Sequence, residues 1–341
     1  RGQIALINFA GIMGLAFGGL FMGPLSDRKG TRPVVIFGVT VLGLCYLAAS
    51  LMSALWQFYL LFFVAGFFGA AAIFPPVMAA VGNWFFVGAG MAIGIASAGQ
   101  ALGQGGVPFV SSFLIKSFGI SGAFGVTGVF MLATMLPLSL LLRQPPAAND
   151  AQRMASAAEE NTLVPTNTVI VTMSAAIILC CTCMSTPLMH LVPLIFVMLL
   201  VAIVGRLAFG KLADVIGALP AYMTATAWMT AMVFGFIYID TLATFYVYAI
   251  IYGFGYAGVM TGVLVSLRML TPPSRRASAL GIVTMFGWFG HAIGGYQGGA
   301  LYDLTGNYTA AYAVAAVAGV LNLIIVSTLL RKTRRAQVVA A

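Results

Sequence analysis

Residues 23–35 read GPLSDRKGTRPVV, a short turn that gathers Asp27, Arg28, Lys29 and Arg32 between two strongly apolar runs. Charge is scarce in this chain: 7% of its 341 residues are charged and 61% are hydrophobic, whereas a soluble domain carries about 25% charged residues. A water-facing surface cannot be built from such a composition. Apolar runs of about 20 residues match the ~30 Å hydrocarbon core of a bilayer, and no period-two alternation points to barrel strands. The chain reads as an all-α integral membrane protein. The run that opens at Arg1 ends in the charged turn, not in a cleavage site, so it reads as a span and not as a signal peptide.

Spans are expected at 3–22, 34–53, 57–80, 91–115, 122–142, 167–187, 191–209, 220–239, 242–266, 278–300 and 309–330. The stretch at 143–166, rich in Pro, Ala, Asn and charge, reads as a linker between two membrane halves, 1–142 and 167–331, followed by a tail at 332–341. The halves repeat. GPLSDRKGTRP at 23–33 and GKLADVIGALP at 210–220 share Gly, Leu, Asp, Gly and Pro at an offset of 187. The same offset pairs Tyr59 with Tyr246, Gly66 with Gly253, Ala92 with Ala279, Gly94 with Gly281 and Gly103 with Gly290. The span at 167–187 then maps ahead of Arg1, so a twelfth helix, the first of the native fold, is expected to be missing.

The formal charge of +9 would suggest nucleic acid in a soluble protein; here its placement matters more. Fourteen Lys and Arg residues fall on or toward one face of the expected bundle, against Arg1 and Lys116 on the other. By the positive-inside rule the motif turns, linker and C-terminus are cytoplasmic, in a multi-pass protein of the cell (inner) membrane with Asp240 and Asp303 facing outward. Cys45, Cys180, Cys181 and Cys183 sit inside apolar runs, where a thiol acts as a small hydrophobe. No metal-ligand spacing, Walker lysine or strand-borne Gly-x-Gly-x-x-Gly is present; neither metal, cofactor, ATP nor nucleic acid is expected. Two distant histidines without a convergent nucleophile do not make an enzyme.

Arg206 lies eight residues before Asp214, about 12 Å along a helix, close to the ~15 Å half-thickness of the core. An intramembrane arginine normally faces a cavity or a partner, and its repeat counterpart is Gly19. Two readings stand: a substrate-carboxylate site, for which the planar guanidinium fork is suited, or an edge arginine paired with Asp214 or a helix end. His291 is the other deep titratable group, and Thr284, Trp288 and His291 share a helical face. His291 is a candidate second anion contact or proton carrier, or else a hydrogen-bonded neutral imidazole. Gln100, Gln104, Tyr252 and Tyr256 could line a midplane cavity or join helices. His190 is a candidate gate or cap. The glycines at 94, 99, 103 and 106, and at 287, 290, 294 and 298, read as close-packing faces.

The turn at 23–33, matching G-x-L-x-D-R-x-G-R-R at Gly23, Leu25, Asp27, Arg28, Gly30 and Arg32 and copied at 210–220, resembles the signature of the major facilitator superfamily. That resemblance covers the whole chain. It implies two six-helix bundles related by pseudo-two-fold symmetry, with eleven of the twelve helices present, and alternating access by rocking of the halves. It also implies that Asp27 faces the helix start near Arg275 and Arg276 when the cytoplasmic side is closed. Gly23, Asp27, Arg28, Gly30, Arg32, Asp214, Arg275 and Arg276 would then form a latch that opening breaks. NWFFVGAGMAIGIASAGQALG and GRLAFGKLAD are similar to the monocarboxylate and oxalate:formate branch, in which the arginine meets a substrate carboxylate. Transporters of that branch carry an aspartate one turn before it, where this chain has Ala202, and the basic residue expected before the Gly-x-Ala-x-Gly run is absent.

The expected function is secondary transport of a small organic monocarboxylate, by symport with protons, exchange or uniport, in a monomer embedded in lipid. The alternatives are a drug-type exporter, or a non-transporting membrane receptor of the same fold.

Overall fold

A computed structural model describes residues 2–85, 87–143, 164–190, 195–239 and 241–340. Most of the 143–166 linker, residues 191–194, Asp240 and the side chain of His190 lie outside the described residues. The main helices are α1 (Gly2–Lys29), α2 (Thr31–Ala49), α3 (Leu55–Val64), α4 (Ala71–Trp84), α5 (Ala89–Leu140), α6 (Thr166–His190), α7 (Ile195–Ile216), α8 (Ala218–Gly235), α9 (Leu242–Leu270), α10 (Arg276–Thr305) and α11 (Thr309–Ala340). Among the described residues no strand occurs, and eight helical stretches there are long and apolar enough to cross a membrane.

Helix α5 holds two of the expected spans. Its 52 residues reach about 78 Å at 1.5 Å per residue, more than twice the core thickness, and the break falls at Gly119, where φ is 71°. The expected span at 57–80 is likewise not one uniform helix: a π-helical turn, Ala65–Ala70, joins α3 to α4. It lies beside close approaches, for Gly66 packs on the Gly11 carbonyl and Gly69 on Leu42. The turns after the two signature copies also correspond, Gly30 at φ 87° and Gly217 at φ 94°. That left-handed region is costly for any residue with a Cβ, which accounts for glycine at the same place in both copies.

The chain forms two compact units. One comprises residues 1–84, 106–157 and 273–285. Within it the aromatic rings of Tyr46, Phe58 and Phe62 surround Phe124, with centroids 5.8–6.1 Å away. The other comprises residues 85–105, 158–272 and 286–341. Each unit thus takes one segment from the opposite sequence half: the start of α10 joins the first, the start of α5 the second.

In the second unit the Tyr222 hydroxyl donates to Asn322 Oδ1 at 3.0 Å, with both side chains fully buried, tying α8 to α11. Interhelical hydrogen bonds in membranes contribute about 0.6 kcal/mol on average and up to about 1.7. Tyr222→Phe should therefore lower thermal stability in detergent by roughly 1 kcal/mol. Tyr222→Phe with Asn322→Leu should recover most of the loss, because no buried acceptor then lacks its donor. A double variant no more stable than the single one would refute this account.

Candidate functional site

The two aspartates of the signature copies cap helix starts. Asp27, at the end of α1, accepts from the Ala277 and Ser278 N–H groups at 3.1 and 2.8 Å and from the Ser278 hydroxyl. Asp214, at the end of α7, accepts from the Gly90 and Met91 N–H groups at 2.7 and 2.9 Å. The offset of 187 that relates Asp27 to Asp214 also relates Ala277 to Gly90 and Ser278 to Met91. Both carboxylates sit at the positive end of a helix dipole, a contact worth up to about 2 kcal/mol when partly buried.

Backbone approach makes these caps possible. Gly23 packs against the Ala277 carbonyl and Gly210 against that of Gly90; one turn deeper, Gly19 meets Gly281, and Gly94 meets the backbone of Arg206. A Cβ on Gly19 would lie 2.9 Å from the Gly281 carbonyl oxygen, closer than side chains tolerate. The charges around the turn contribute less than the sequence suggested. Arg28 and Arg32 are exposed. Arg275 acts on Asp27 through its charge, whereas Arg276, nearly fully buried, donates to the Asn83 side chain. Arg268 donates to the Phe85 carbonyl at 3.1 Å.

Arg206 is fully buried. Its Nη1 donates to the Ser97 carbonyl and, at 3.1 Å, to Gln100 Oε1, both on α5, and its Nε is buried without a partner. Tyr256 on α9, itself buried, is within electrostatic reach of the guanidinium. The pairing with Asp214 that the sequence left open is not formed, since that carboxylate is held by α5. Arg206 and Gln100 therefore come together. Gln104 does not join them: it is exposed, and the neighbouring Gly99, Gly103 and Gly106 have open space, not a packed helix, beside them.

His291 and Trp288 on α10 form a separate pair, ring centroids 5.6 Å apart. The His291 Nδ1 is buried without a hydrogen bond, so the hydrogen-bonded imidazole that the sequence left open as one alternative is not formed on that nitrogen. Thr284 bonds back to the Leu280 and Gly281 carbonyls of its own helix, and Tyr252 donates to the Met184 carbonyl at 3.4 Å. Gly290 and Gly294 pack on α6 as expected, where Thr182 and Thr186 donate to their carbonyls. Among the described residues, no group of three or more His, Cys, Asp and Glu side chains could hold a metal.

Sequence reasoning missed Ser97, Asn83 and Ser278. The repeat register was a usable signal for part of this: moving the Asp27 partners back by 187 lands on Gly90 and Met91.

Residues 1–199 and 188–340 match the model of the Major Facilitator Superfamily. The rat protein "Monocarboxylate transporter 13" is 27% identical over 336 residues, covering 92% of this chain and 77% of that protein. "MFS-type transporter pytF" of Aspergillus terreus is 28% identical over 159 residues, and the match spans only 54% of its length. Among solved structures, the E. coli fucose:proton symporter superposes with a TM-score of 0.70 at 14% identity, covering 96% of this chain and 91% of that one. The human organic anion transporter TETRAN gives 0.71, also at 14% identity, covering 95% and 83%.

Proposed function

The chain belongs to the major facilitator superfamily, and on that premise we propose that it moves a small organic anion, a monocarboxylate, across the membrane by alternating access. The observation that carries the proposal is Arg206, a fully buried guanidinium within an apolar helix, held by neutral groups and with one N–H unpartnered. A planar fork in a low-dielectric site favours a carboxylate, which it can meet with two parallel hydrogen bonds. The likeness to a monocarboxylate transporter over nearly the whole chain supports the same substrate class. Gln100 and Tyr256 flank the anion in this reading. Trp288 and His291 form a second polar element that contacts the rest of the substrate or carries a proton.

Asp27 and Asp214 act as twin latches on the cytoplasmic side, the face that the excess of Lys and Arg marks as inside. Rocking of the two halves separates α1 from α10 and α5 from α7, breaking both caps. Asp27→Asn keeps one acceptor oxygen and loses the charge, at a cost of about 1 kcal/mol. It should raise the cytoplasm-open to closed ratio about fivefold, read as faster hydrogen exchange at Ala277 and Ser278. Asp27→Asn with Asp214→Asn should give the product of the two shifts, because the caps share no partners. Unchanged exchange at those amides would remove the latch role.

The test of substrate class is counterflow in proteoliposomes: labelled lactate and pyruvate should accumulate against trapped unlabelled substrate. A second reading, export of larger lipophilic compounds, draws on matches to efflux proteins such as the "Fujikurins efflux protein", 28% identical over 125 residues. Protein-dependent movement of lipophilic compounds, with none of lactate or pyruvate, would favour export and overturn the monocarboxylate assignment.

A further inference from the structure

Helix α11 keeps two opposite faces along its length. Ala315, Ala318, Asn322, Val326, Leu329 and Thr333 are buried, on the side that packs against α6 and α8. Val317, Leu321, Ile324, Thr328, Arg331 and Arg335 are exposed. The exposed set recurs at steps of three and four residues, which places it in one stripe. Its upper part is apolar and suits acyl chains. The same stripe then runs without a break into two arginines.

Length sets the depth of those arginines. From Thr309 to Leu330 the helix rises about 33 Å at 1.5 Å per residue, close to the ~30 Å hydrocarbon core. Arg331 and Arg335 are one turn, about 6 Å, apart, and an interfacial layer is about 5–7 Å deep. Both therefore fall at headgroup level. The helix has not turned away there, since Thr333 on the opposite side is still buried and its hydroxyl donates to the Leu330 carbonyl at 2.8 Å. The guanidinium groups thus stand on the lipid side of the bundle.

Charge names the occupant. Exposed Lys332 and Arg334 flank the pair, so residues 331–335 carry four cations, and the 32-residue helix contains no Asp or Glu. Guanidinium meets phosphate oxygens with two parallel hydrogen bonds. A zwitterionic headgroup brings its own cation, which four like charges repel; a net anionic one does not.

We propose that Arg331 and Arg335 form a binding site for the headgroup phosphate of an anionic phospholipid, whose acyl chains lie along the apolar stripe of α11. Lys332 and Arg334 strengthen the attraction at longer range.

The test titrates the full chain, in neutral detergent, with phosphatidylglycerol or with phosphatidylcholine of matched acyl chains, and counts bound lipids by native mass spectrometry. The first phosphatidylglycerol should bind at least about tenfold more tightly than phosphatidylcholine, since each basic residue near a headgroup contributes roughly fivefold. Arg331→Gln with Arg335→Gln should bring that ratio below about threefold. Lys332→Gln with Arg334→Gln removes the same charge from the flanks and should keep most of the preference. Equal wild-type affinity for the two lipids would overturn the proposal. Equal losses in the two double variants would also overturn it, because diffuse attraction would then suffice without a site on the lipid-facing stripe. Glycerol phosphate, the same phosphate chemistry without acyl chains, should not displace the lipid at matched concentration; displacement would overturn a lipid as the occupant. Should a variant fail to fold, the wild-type comparison decides.

Discussion

Arg206→Ala should abolish carboxylate counterflow while leaving a protein that inserts and folds. The two halves of that expectation have separate physical origins. Truncating one partner of a buried, hydrogen-bonded charge pair costs about 2–5 kcal/mol, or roughly 30-fold to a few thousand-fold in affinity. Folding is spared because the wild-type arginine is itself a burden, about 2.5–3.5 kcal/mol on insertion scales, and its Nε has no partner. Loss of the side chain leaves unpaired only the Gln100 amide oxygen and the second lone pair of the Ser97 carbonyl. Arg206→Lys keeps the charge and loses the fork, so it should retain part of the binding with poorer discrimination among carboxylates. Counterflow and thermal stability measured on the same preparations check both halves. Wild-type counterflow in Arg206→Ala would remove the guanidinium from the substrate site.

Gly281→Val should hold the proposed cytoplasmic gate open. A Cβ at this position runs into the Gly19 carbonyl, and the contact is backbone on backbone, with no flexible side chain to give way. Overpacking of this kind costs about 1–3 kcal/mol, a shift of roughly fivefold to 150-fold in the closed-to-open ratio. One turn away, the Ala277 and Ser278 amides would lose Asp27 as their acceptor and exchange hydrogen at the rate of an uncapped helix start. Gly90→Val should do the same at the second crossing, where the obstacle is the Gly210 carbonyl. Gly99→Ala, with nothing within 4 Å of its Cβ, is the matched control and should change neither exchange nor transport. Wild-type protection of the two amides in Gly281→Val would rule out the Gly19–Gly281 approach as a closure contact.

Most of the helical architecture was legible in the sequence, because composition and run length follow directly from the bilayer's thickness. The internal repeat was legible too, and it carried further than it was first taken: one offset relates the aspartates, their amide partners, the crossing positions and the turn glycines. The π-helical turn at Ala65–Ala70 was hidden, since a six-residue change of hydrogen-bond register leaves hydropathy untouched. The site was only half legible. Arg206 stood out because charge is rare in the spans, and Gln100 and Tyr256 were found as polar side chains on apolar helices. Ser97 could not be found in that way, because its contribution is a main-chain carbonyl that any residue would supply. The glycines at 99, 103 and 106 misled for a related reason: spacing assigns a residue to a helix face but does not say whether another helix lies against it.

The chain's four thiols have a practical consequence. Cys45, Cys180, Cys181 and Cys183 are all reduced and buried, so a maleimide reagent should find no ready target in the folded protein. A single cysteine introduced beside α1 or α7 can then be followed by alkylation in an otherwise native background, sparing the wholesale serine replacement such mapping usually demands.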